Sequence, residues 1–498
     1  MSSDLLDCLL NTLNSEEINY CHWKSNIDLA RATSGELDLD LLIARGSFQK
    51  AITILSRLGF KTALVRWGTN TPGISHFYGY DPKTERFVHV HLFSRVLTGE
   101  SLLKSHLFPF ESMLLQNAGY VGPMRVTSKS AELVLYTIRM FIKYGSVLDL
   151  VYLLKNSEKI KSEVRWLKDG YDLTEALSLL KQYCPLIDES LFVKCIDTLE
   201  GEVSLIQRIR LARKVRGRIR NYSKHTFLEW VSALTRLVFT QVQRIIGSRK
   251  KNKVLQAGGA VIAIVGADAT GKSTLVSETG RWLGEVFTVR IVHAGKPPTS
   301  WATAPVNLLL YLFRRFLPKL RSTRVEKRFS PENGDFPLEE KGIASLLSAI
   351  RAITLAWDRR NLLLKSWRAV ANGEIVICDR YPSEITSAMD SPRLQEKTER
   401  GGWLASFYNA AATLERHFYT QIPSPDIVVR LHVSVETAKQ RNRLRNKPGE
   451  ETDTYIESRH HQTREWHRTG TRSVFDVDTE QPLAETLLNI KEILWRAL

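Results

Sequence analysis

The segment from Gly266 to Thr274 carries residue types spaced for binding a phosphate chain. It reads Gly-Ala-Asp-Ala-Thr-Gly-Lys-Ser-Thr and fits the pattern G-x-x-x-x-G-K-[ST], whose four fixed positions are Gly266, Gly271, Lys272 and Ser273. In such a loop, backbone N–H groups curl around a β-phosphate at the positive end of a helix dipole. Lys272 then supplies a positive charge to the β- and γ-phosphates, and the hydroxyl of Ser273 binds Mg²⁺. The motif therefore predicts a nucleotide-phosphate site.

The elements on either side of this loop agree with that interpretation. Residues Val261–Val265 form a short apolar run typical of a buried strand, and an amphipathic helix is predicted from Leu275 to Val286. Strand, loop and helix in this order are the structural context that the motif requires.

A second candidate for chemistry is the sequence Asp379-Arg380-Tyr381, which ends a predicted strand beginning at Glu374. In parallel α/β sheets, ligands bind beyond the carboxyl ends of the strands. A carboxylate there can hold Mg²⁺ or orient the acceptor, and Arg380 can bind a phosphate. The alternative is a structural ion pair.

A basic helix end follows a further predicted strand, Pro425–Val433. The helix is predicted over Val435–Arg445. Its end carries Arg441, Arg443, Arg445 and Lys447. Arginines in this place can close over a transferring phosphoryl group and neutralise its charge. The alternative is a solvated helix end. A last strand, Ser473–Val477, and a last helix, Pro482–Leu498, complete the region.

In this order of motifs, residues 258–498 resemble the thymidylate kinase family, whose loop reads G-x-D-G-x-G-K-S-T. Asp268 is kept, and Ala269 stands where Gly is usual. The resemblance implies a parallel sheet flanked by helices, ATP with Mg²⁺ as phosphoryl donor, and a lid that closes on the phosphates.

The resemblance also implies roles for individual residues. Nucleotide-binding residues would be Gly266, Asp268, Gly271, Lys272, Ser273 and Thr274. Catalytic residues would be Lys272, Asp379, Arg380, Arg441 and Arg445. Ser273 and Asp379 would lie beside the metal.

The acceptor side departs from that family. Its usual Arg-Glu-Pro-Gly-Gly stretch is replaced here by His293–Pro298, after a strand predicted over Thr288–His293, and a long insertion follows to about residue 340. The donor chemistry therefore carries over and dTMP as acceptor does not. A helix predicted over Ile343–Val370 contains charged and aromatic candidates for an acceptor pocket, or else for an exposed face: Arg351, Trp357, Asp358, Arg359 and Arg360.

The N-terminal region presents a pair of aspartates on one predicted strand. Asp38 and Asp40 alternate in Leu37–Ile43, which puts both side chains on one face, where two carboxylates can hold a divalent ion. The pattern resembles the nucleotidyltransferase fold. That fold also uses a third carboxylate on a later strand, where this chain offers His89 and His91. Active nucleotidyl transfer, a degenerate fold that binds a nucleotide or acceptor, and an aspartate pair merely exposed on an edge strand remain open.

Composition limits the class of protein. The chain has 498 residues with 43% hydrophobic and 25% charged residues, which excludes disordered, collagenous and disulfide-scaffold proteins. No apolar run reaches the ~18–20 residues that span a bilayer, and the acidic, polar N-terminus does not resemble a secretory signal. The five cysteines form no C-x-x-C pair. They predict reduced thiols rather than a zinc or disulfide framework, and a cytoplasmic protein.

The formal net charge of +17 is concentrated in two basic tracts. Residues 208–253 contain 14 Lys and Arg and one acid, and residues 314–328 contain seven and one. Such tracts attract nucleic acid or an anionic membrane surface, to which the protein would then bind peripherally. An apolar stretch at 227–246 favours the membrane. The alternative is a solvated linker.

These observations predict an α/β protein of three regions. Residues 1–125 form an α+β nucleotidyltransferase-like domain, 126–255 a helical region ending in a basic linker, and 256–498 a doubly wound parallel sheet of the P-loop kinase type. The predicted activity is ATP- and Mg²⁺-dependent phosphoryl transfer to a nucleoside monophosphate or related acceptor, by a protein that can form a homodimer. The alternatives are a bifunctional nucleotidyltransferase and kinase acting on a surface glycan or lipid-linked acceptor, and an ATP-gated regulator that docks on membrane or nucleic acid.

Overall fold

The computed structural model divides the chain into two compact units, Met1–Lys253 and Val254–Leu498. It describes residues 3–66, 70–99, 104–143, 150–201, 205–224, 235, 253–301, 303–309, 343–385, 390–395, 403–444, 456–457, 460 and 466–498.

The first unit is built on a mixed β-sheet. Its strands are β1 (Tyr20–His22), β2 (Leu39–Ile43), β3 (Lys61–Val65), β4 (Ile74–Asp81), β5 (Arg86–Phe93), β6 (Val96–Thr98), β7 (His106–Phe108), β8 (Ala118–Val121) and β9 (Met124–Thr127). In the main sheet they follow the order β3-β4-β5-β2-β1-β9-β8, and β6 pairs with β7 separately. Strand β5 lies between β4, with which it is antiparallel, and β2, with which it is parallel.

Helices cover this sheet and continue into a helical region. They are α1 (Asp4–Ser15), α2 (Leu29–Thr33), α3 (Phe48–Arg57), α4 (Glu111–Gln116), α5 (Lys129–Lys143), α6 (Leu150–Lys168), α7 (Leu173–Tyr183), α8 (Glu189–Glu200) and α9 (Leu205–Arg218). Helix α5 is buried along most of its length. It is central to a core of apolar side chains that extends through α7, α8 and α9.

Strand β10 (Lys253–Leu255) begins at the last residue of the first unit. The strands of the second unit's sheet are β11 (Ala260–Gly266), β12 (Val289–His293), β13 (Ile375–Asp379), β14 (Ile427–His432) and β15 (Ser473–Asp478). The helices of this unit are α10 (Lys272–Gly284), α11 (Ile343–Ala371), α12 (Trp403–Thr420), α13 (Val435–Leu444) and α14 (Leu483–Ala497).

The sheet of the second unit is parallel and follows the order β12-β13-β11-β14-β15. Strand β11 is apolar and buried at every residue, as expected for a parallel strand with both faces covered. The chain order reverses on either side of β11, so a crevice opens beyond its carboxyl end and that of β13. The predicted α/β fold with a parallel sheet in the C-terminal half is confirmed.

Parts of the predicted basic tracts lie outside the described residues. This is true of all of 314–328 and of most of 208–253, of which residues 208–224, 235 and 253 are described. Over the part of the chain that the structure describes, no helix is both long and apolar enough to cross a membrane.

Candidate functional site

The phosphate-binding motif forms the turn between β11 and α10. Gly266 ends β11, and Gly271 caps α10 with φ +86°, a left-handed conformation that glycine adopts without steric cost. Gly271 has no side chain that could cap the helix. The first backbone N–H groups of α10, those of Lys272, Ser273 and Thr274, therefore have no side-chain cap. This helix start is therefore suited to bind an anion.

Two side chains of the loop are held in place by nearby groups. The Lys272 side chain is buried, and its Nζ donates to the carbonyl of Ala267. The carboxylate of Asp268 lies 3.2 Å from the guanidinium of Arg380. The second sequence motif is thereby joined to the first by an ion pair.

Asp379 ends β13 beside His293, which ends β12, and the two residues are paired in the sheet register. Nδ1 of His293 lies 2.9 Å from Oδ2 of Asp379. Oδ1 of Asp379 is buried and receives no hydrogen bond from any described residue.

A magnesium ion fits these donors. Ser273 and Asp379 line one cleft and offer a hydroxyl and a carboxylate oxygen, the hard oxygen ligands that Mg²⁺ prefers. The buried Oδ1 of Asp379 lacks the partner that such an atom usually has. Ser273 and Asp379 are therefore the described residues whose oxygen atoms suit a magnesium ion.

A buried charge network supports Arg380. Arg359 of α11 is fully buried, and its guanidinium lies 3.0 Å from Oδ1 of Asp390. The other oxygen of Asp390 lies 3.5 Å from Arg380. Although burial alone would lower the pKa of Arg380, the carboxylates of Asp390, Asp268 and Asp379 raise it. Arg380 thus stays charged at the mouth of the loop.

Gly295 allows this network to pass close to the backbone. A Cβ at this position would lie 2.8 Å from Cδ of Arg380. The stretch that departs from the thymidylate kinase pattern therefore leaves room for the arginine side chain. Among the residues singled out from sequence, Arg359 was assigned to a pocket or an exposed face, whereas it lies in the interior. Asp390 was missed, since no local motif marks it.

These groups surround one cleft of about 730 Å³. Beyond the loop its lining includes basic, polar and acidic side chains: Lys296, Asn307, Arg351, Thr354, Asp358 and Arg393. Asp358 accepts hydrogen bonds from the backbone N–H of Ser300 at 3.1 Å and from the hydroxyl of Thr303. It thereby ties the start of the predicted insertion to α11.

The arginines predicted to form a lid are placed differently from one another. The guanidinium of Arg441 donates to the carbonyl of Thr479 at 2.7 Å. From α13, Asn442 lines the cleft. Arg443 lies in the exposed last turn of α13, and Arg445 lies outside the described residues.

In the first unit, Asp38 and Asp40 are both engaged by neighbouring side chains. Asp38 lies 2.9 Å from Nδ1 of His89, and Asp40 lies 3.0 Å from Nδ1 of His91 and 2.9 Å from Nζ of Lys24. Burial alone would raise the pKa of Asp40, but Lys24 and His91 lower it. Asp40 is therefore an ion-pair partner here. Burial also lowers the pKa of His89 to about 4, so its imidazole is neutral at pH 7.

The chain was compared with known proteins by sequence. It matches no family model. Two proteins of Escherichia coli (strain K12) are similar to part of it. The uncharacterized ATP-binding protein YghR is 28% identical over 188 residues, which are 36% of this chain and 68% of that protein. The uncharacterized ATP-binding protein YghS is 26% identical over 183 residues, which are 36% of this chain and 71% of that protein.

Solved structures were compared as well. A deoxyadenosine kinase from M. mycoides with bound dATP has a TM-score of 0.27 and 20% identity, covering 47% of this chain and 98% of its own. A thymidylate kinase from Ehrlichia chaffeensis has a TM-score of 0.25 and 16% identity, covering 48% of this chain and 99% of its own.

Proposed function

We propose that the second unit is an ATP- and Mg²⁺-dependent phosphotransferase. One observation carries this proposal: the first residues of α10, Lys272 and Ser273, line a single cleft together with Asp379 and Arg380. Phosphoryl transfer requires a binding site for the phosphate chain of the donor, a metal ligand and a fixed positive charge. The two relatives described as ATP-binding proteins support ATP as the donor.

The position of each of these residues indicates a separate role. The backbone N–H groups at Lys272 to Thr274 would hold the β-phosphate. The Lys272 ammonium would leave the Ala267 carbonyl for the β- and γ-phosphates, because a phosphate is the stronger partner. Arg380, held by Asp268 and Asp390, would bind the phosphoryl group as its charge spreads in the transition state.

The acceptor is proposed to carry a phosphate of its own. Beyond the loop, the cleft presents three exposed basic side chains, those of Lys296, Arg351 and Arg393. Basic side chains favour an anionic substrate. A nucleoside monophosphate or a related phosphorylated small molecule, rather than an uncharged sugar, meets this requirement.

The experiment is an acceptor panel. Purified full-length protein is given ATP and Mg²⁺ with dTMP, other nucleoside monophosphates, nucleosides, sugars, sugar phosphates or a lipid-linked glycan, and ADP release is measured. We expect ADP release that depends on a phosphorylated acceptor. Release with unphosphorylated acceptors alone would refute the acceptor class while keeping the phosphotransferase.

Two further results would point to the alternatives. ATP binding without ADP release on any acceptor would favour an ATP-gated regulator. The regulator would be supported only if adding ATP changed the binding of the protein to anionic vesicles or DNA. We attribute this binding to the basic tract 208–253. Release of pyrophosphate instead of ADP, lost on replacing Asp38 and Asp40 by Asn, would favour nucleotidyl transfer by the first unit.

A further inference from the structure

Three histidines come together on one face of the sheet in the first unit. Strands β4 and β5 are antiparallel, and their register places His76 directly opposite His91. His89 lies two residues before His91 on β5, so its side chain is on the same face. His76 comes from a different strand, and no sequence motif marked it.

The ring nitrogens of these histidines are spaced for one metal ion. One nitrogen from each of His76, His89 and His91 lies within 4.8 Å of the other two. Nδ1 of His76 lies 3.3 Å from Nε2 of His89. Ligands bound tetrahedrally to zinc at its usual bond length lie roughly 3.4 Å apart. One pair of these nitrogens already has about this separation.

Two carboxylates fix the orientation of two of the rings. Asp38 accepts from Nδ1 of His89 at 2.9 Å, and Asp40 accepts from Nδ1 of His91 at 3.0 Å. An imidazole that donates through Nδ1 keeps the lone pair on Nε2 for a metal. Nε2 of His91 is buried and has no hydrogen-bond partner among the described residues. A metal ion would supply that partner.

We propose that His76, His89 and His91 bind one divalent transition-metal ion of the zinc type, and that Asp38 and Asp40 orient the ligands without binding the ion. Three imidazole nitrogens suit zinc better than magnesium, which prefers oxygen ligands. Zinc sites with three protein ligands keep a fourth position for water or substrate. The three histidines are only partly buried.

The structure also offers a simpler reason for the cluster. The ring of Tyr78 stacks on His89 with centroids 4.1 Å apart, and His76 packs edge-on against His91 at 4.5 Å. Aromatic packing alone, however, leaves Nε2 of His91 without a partner. A metal titration distinguishes a metal site from aromatic packing.

The test is a Co²⁺ titration of the full chain, freed of metal with a chelator and kept without nucleotide. We expect one equivalent to bind, with the visible absorption of a tetrahedral nitrogen site, without the near-ultraviolet band of a thiolate ligand, and with displacement by Zn²⁺. Alanine at His76, His89 or His91 should weaken binding ~100-fold or more, since one of three ligands is lost. Alanine at the exposed His417 of the second unit is the control and should change nothing.

Replacing Asp38 or Asp40 by Asn tests whether these carboxylates orient the histidines or bind the ion themselves. We expect affinity to fall about 10- to 100-fold with the absorption spectrum kept. If the wild type binds neither Co²⁺ nor Zn²⁺, or if the histidine variants bind as it does, the site does not exist. Loss of binding in the aspartate variants alone would assign the ion to the carboxylates and overturn the proposal. His91→Gln, together with far-ultraviolet circular dichroism, shows whether a loss in His91→Ala comes from unfolding.

Discussion

Nδ1 of His293 lies 2.9 Å from Oδ2 of Asp379, at the carboxyl ends of two neighbouring parallel strands. The histidine holds one carboxylate oxygen, and the other, Oδ1, is buried without a hydrogen-bond donor among the described residues. His293 thereby fixes the orientation of the Asp379 carboxylate.

We predict that Asp379→Asn lowers turnover ~10²-fold or more and raises the Mg²⁺ concentration needed for the remainder, because a charged oxygen ligand is lost. ADP formation over a Mg²⁺ series measures both effects. Asp478→Asn is a matched control, since Asp478 also ends a strand of this sheet but is exposed and does not line the cleft. Unchanged turnover and Mg²⁺ dependence in Asp379→Asn would remove this residue from the site.

A second prediction concerns the loop conformation at Ala269, which has φ +64° and is buried. A left-handed conformation costs an L-residue about 1–2 kcal/mol, and more for a β-branched one. We expect Ala269→Gly to keep ATP affinity within about twofold and Ala269→Val to weaken it ~10-fold or more. Calorimetric titration with ATP measures both. Wild-type affinity in Ala269→Val would mean that the loop binds ATP in another conformation.

A third prediction concerns the buried carboxylate of Asp390. Asn tolerates its φ of +65° and matches its size, but leaves Arg359 buried without a charged partner. We expect Asp390→Asn to lower the free energy of unfolding of the second unit by about 2–4 kcal/mol. Urea unfolding measures this, and the transition that ATP shifts belongs to this unit. Asp478→Asn serves as the control here too. If Asp390→Asn lowers the free energy of unfolding no more than Asp478→Asn does, the ion pair is not stabilising.

A fourth prediction is a pH dependence in the first unit. Burial raises the pKa of Glu132 from 4.5 to about 7, although Asn26 donates two hydrogen bonds to it and lowers it. The folded state therefore binds the proton more tightly than the unfolded chain does. Glu132 therefore contributes on the order of 3 kcal/mol to the free energy of unfolding. This contribution is complete below about pH 4.5 and is lost as the pH rises through about 7.

Glu132→Gln keeps an acceptor for Asn26 and removes the titration. We expect the free energy of unfolding of this variant to vary less between about pH 5 and pH 8 than that of the wild type. Urea unfolding at several pH values tests it. The same slope in both proteins would show that Glu132 does not titrate in this range.

Local patterns in the sequence predicted the elements that carry the phosphate site. The loop at Gly266–Thr274 lies between β11 and α10, close to the predicted strand and helix. Asp379 ends its strand as expected. These features depend on neighbouring residues, whose apolar spacing and glycine content already specify strand, turn and helix.

Contacts between distant parts of the chain could not be read in the same way. Arg359 and Asp390 are 31 residues apart, and Arg359 lies on α11, which packs against β13. His76 joins His91 through the register of a hairpin, which the spacing of histidines alone does not fix. The role of Arg441 stays a prediction, and its guanidinium donates to the carbonyl of Thr479.

The most direct test of the proposed phosphotransferase is to follow the γ-phosphoryl group itself. ATP labelled at that group is incubated with Mg²⁺, the acceptor from the panel and either wild type or Lys272→Ala, with Lys365→Ala, an exposed lysine of α11 that does not line the cleft, as the control. We predict transfer of the label to the acceptor by the wild type, ~10³-fold slower transfer by Lys272→Ala, and a much smaller effect in Lys365→Ala. Equal transfer by wild type and Lys272→Ala, or bound ATP whose label never moves, would contradict the assignment.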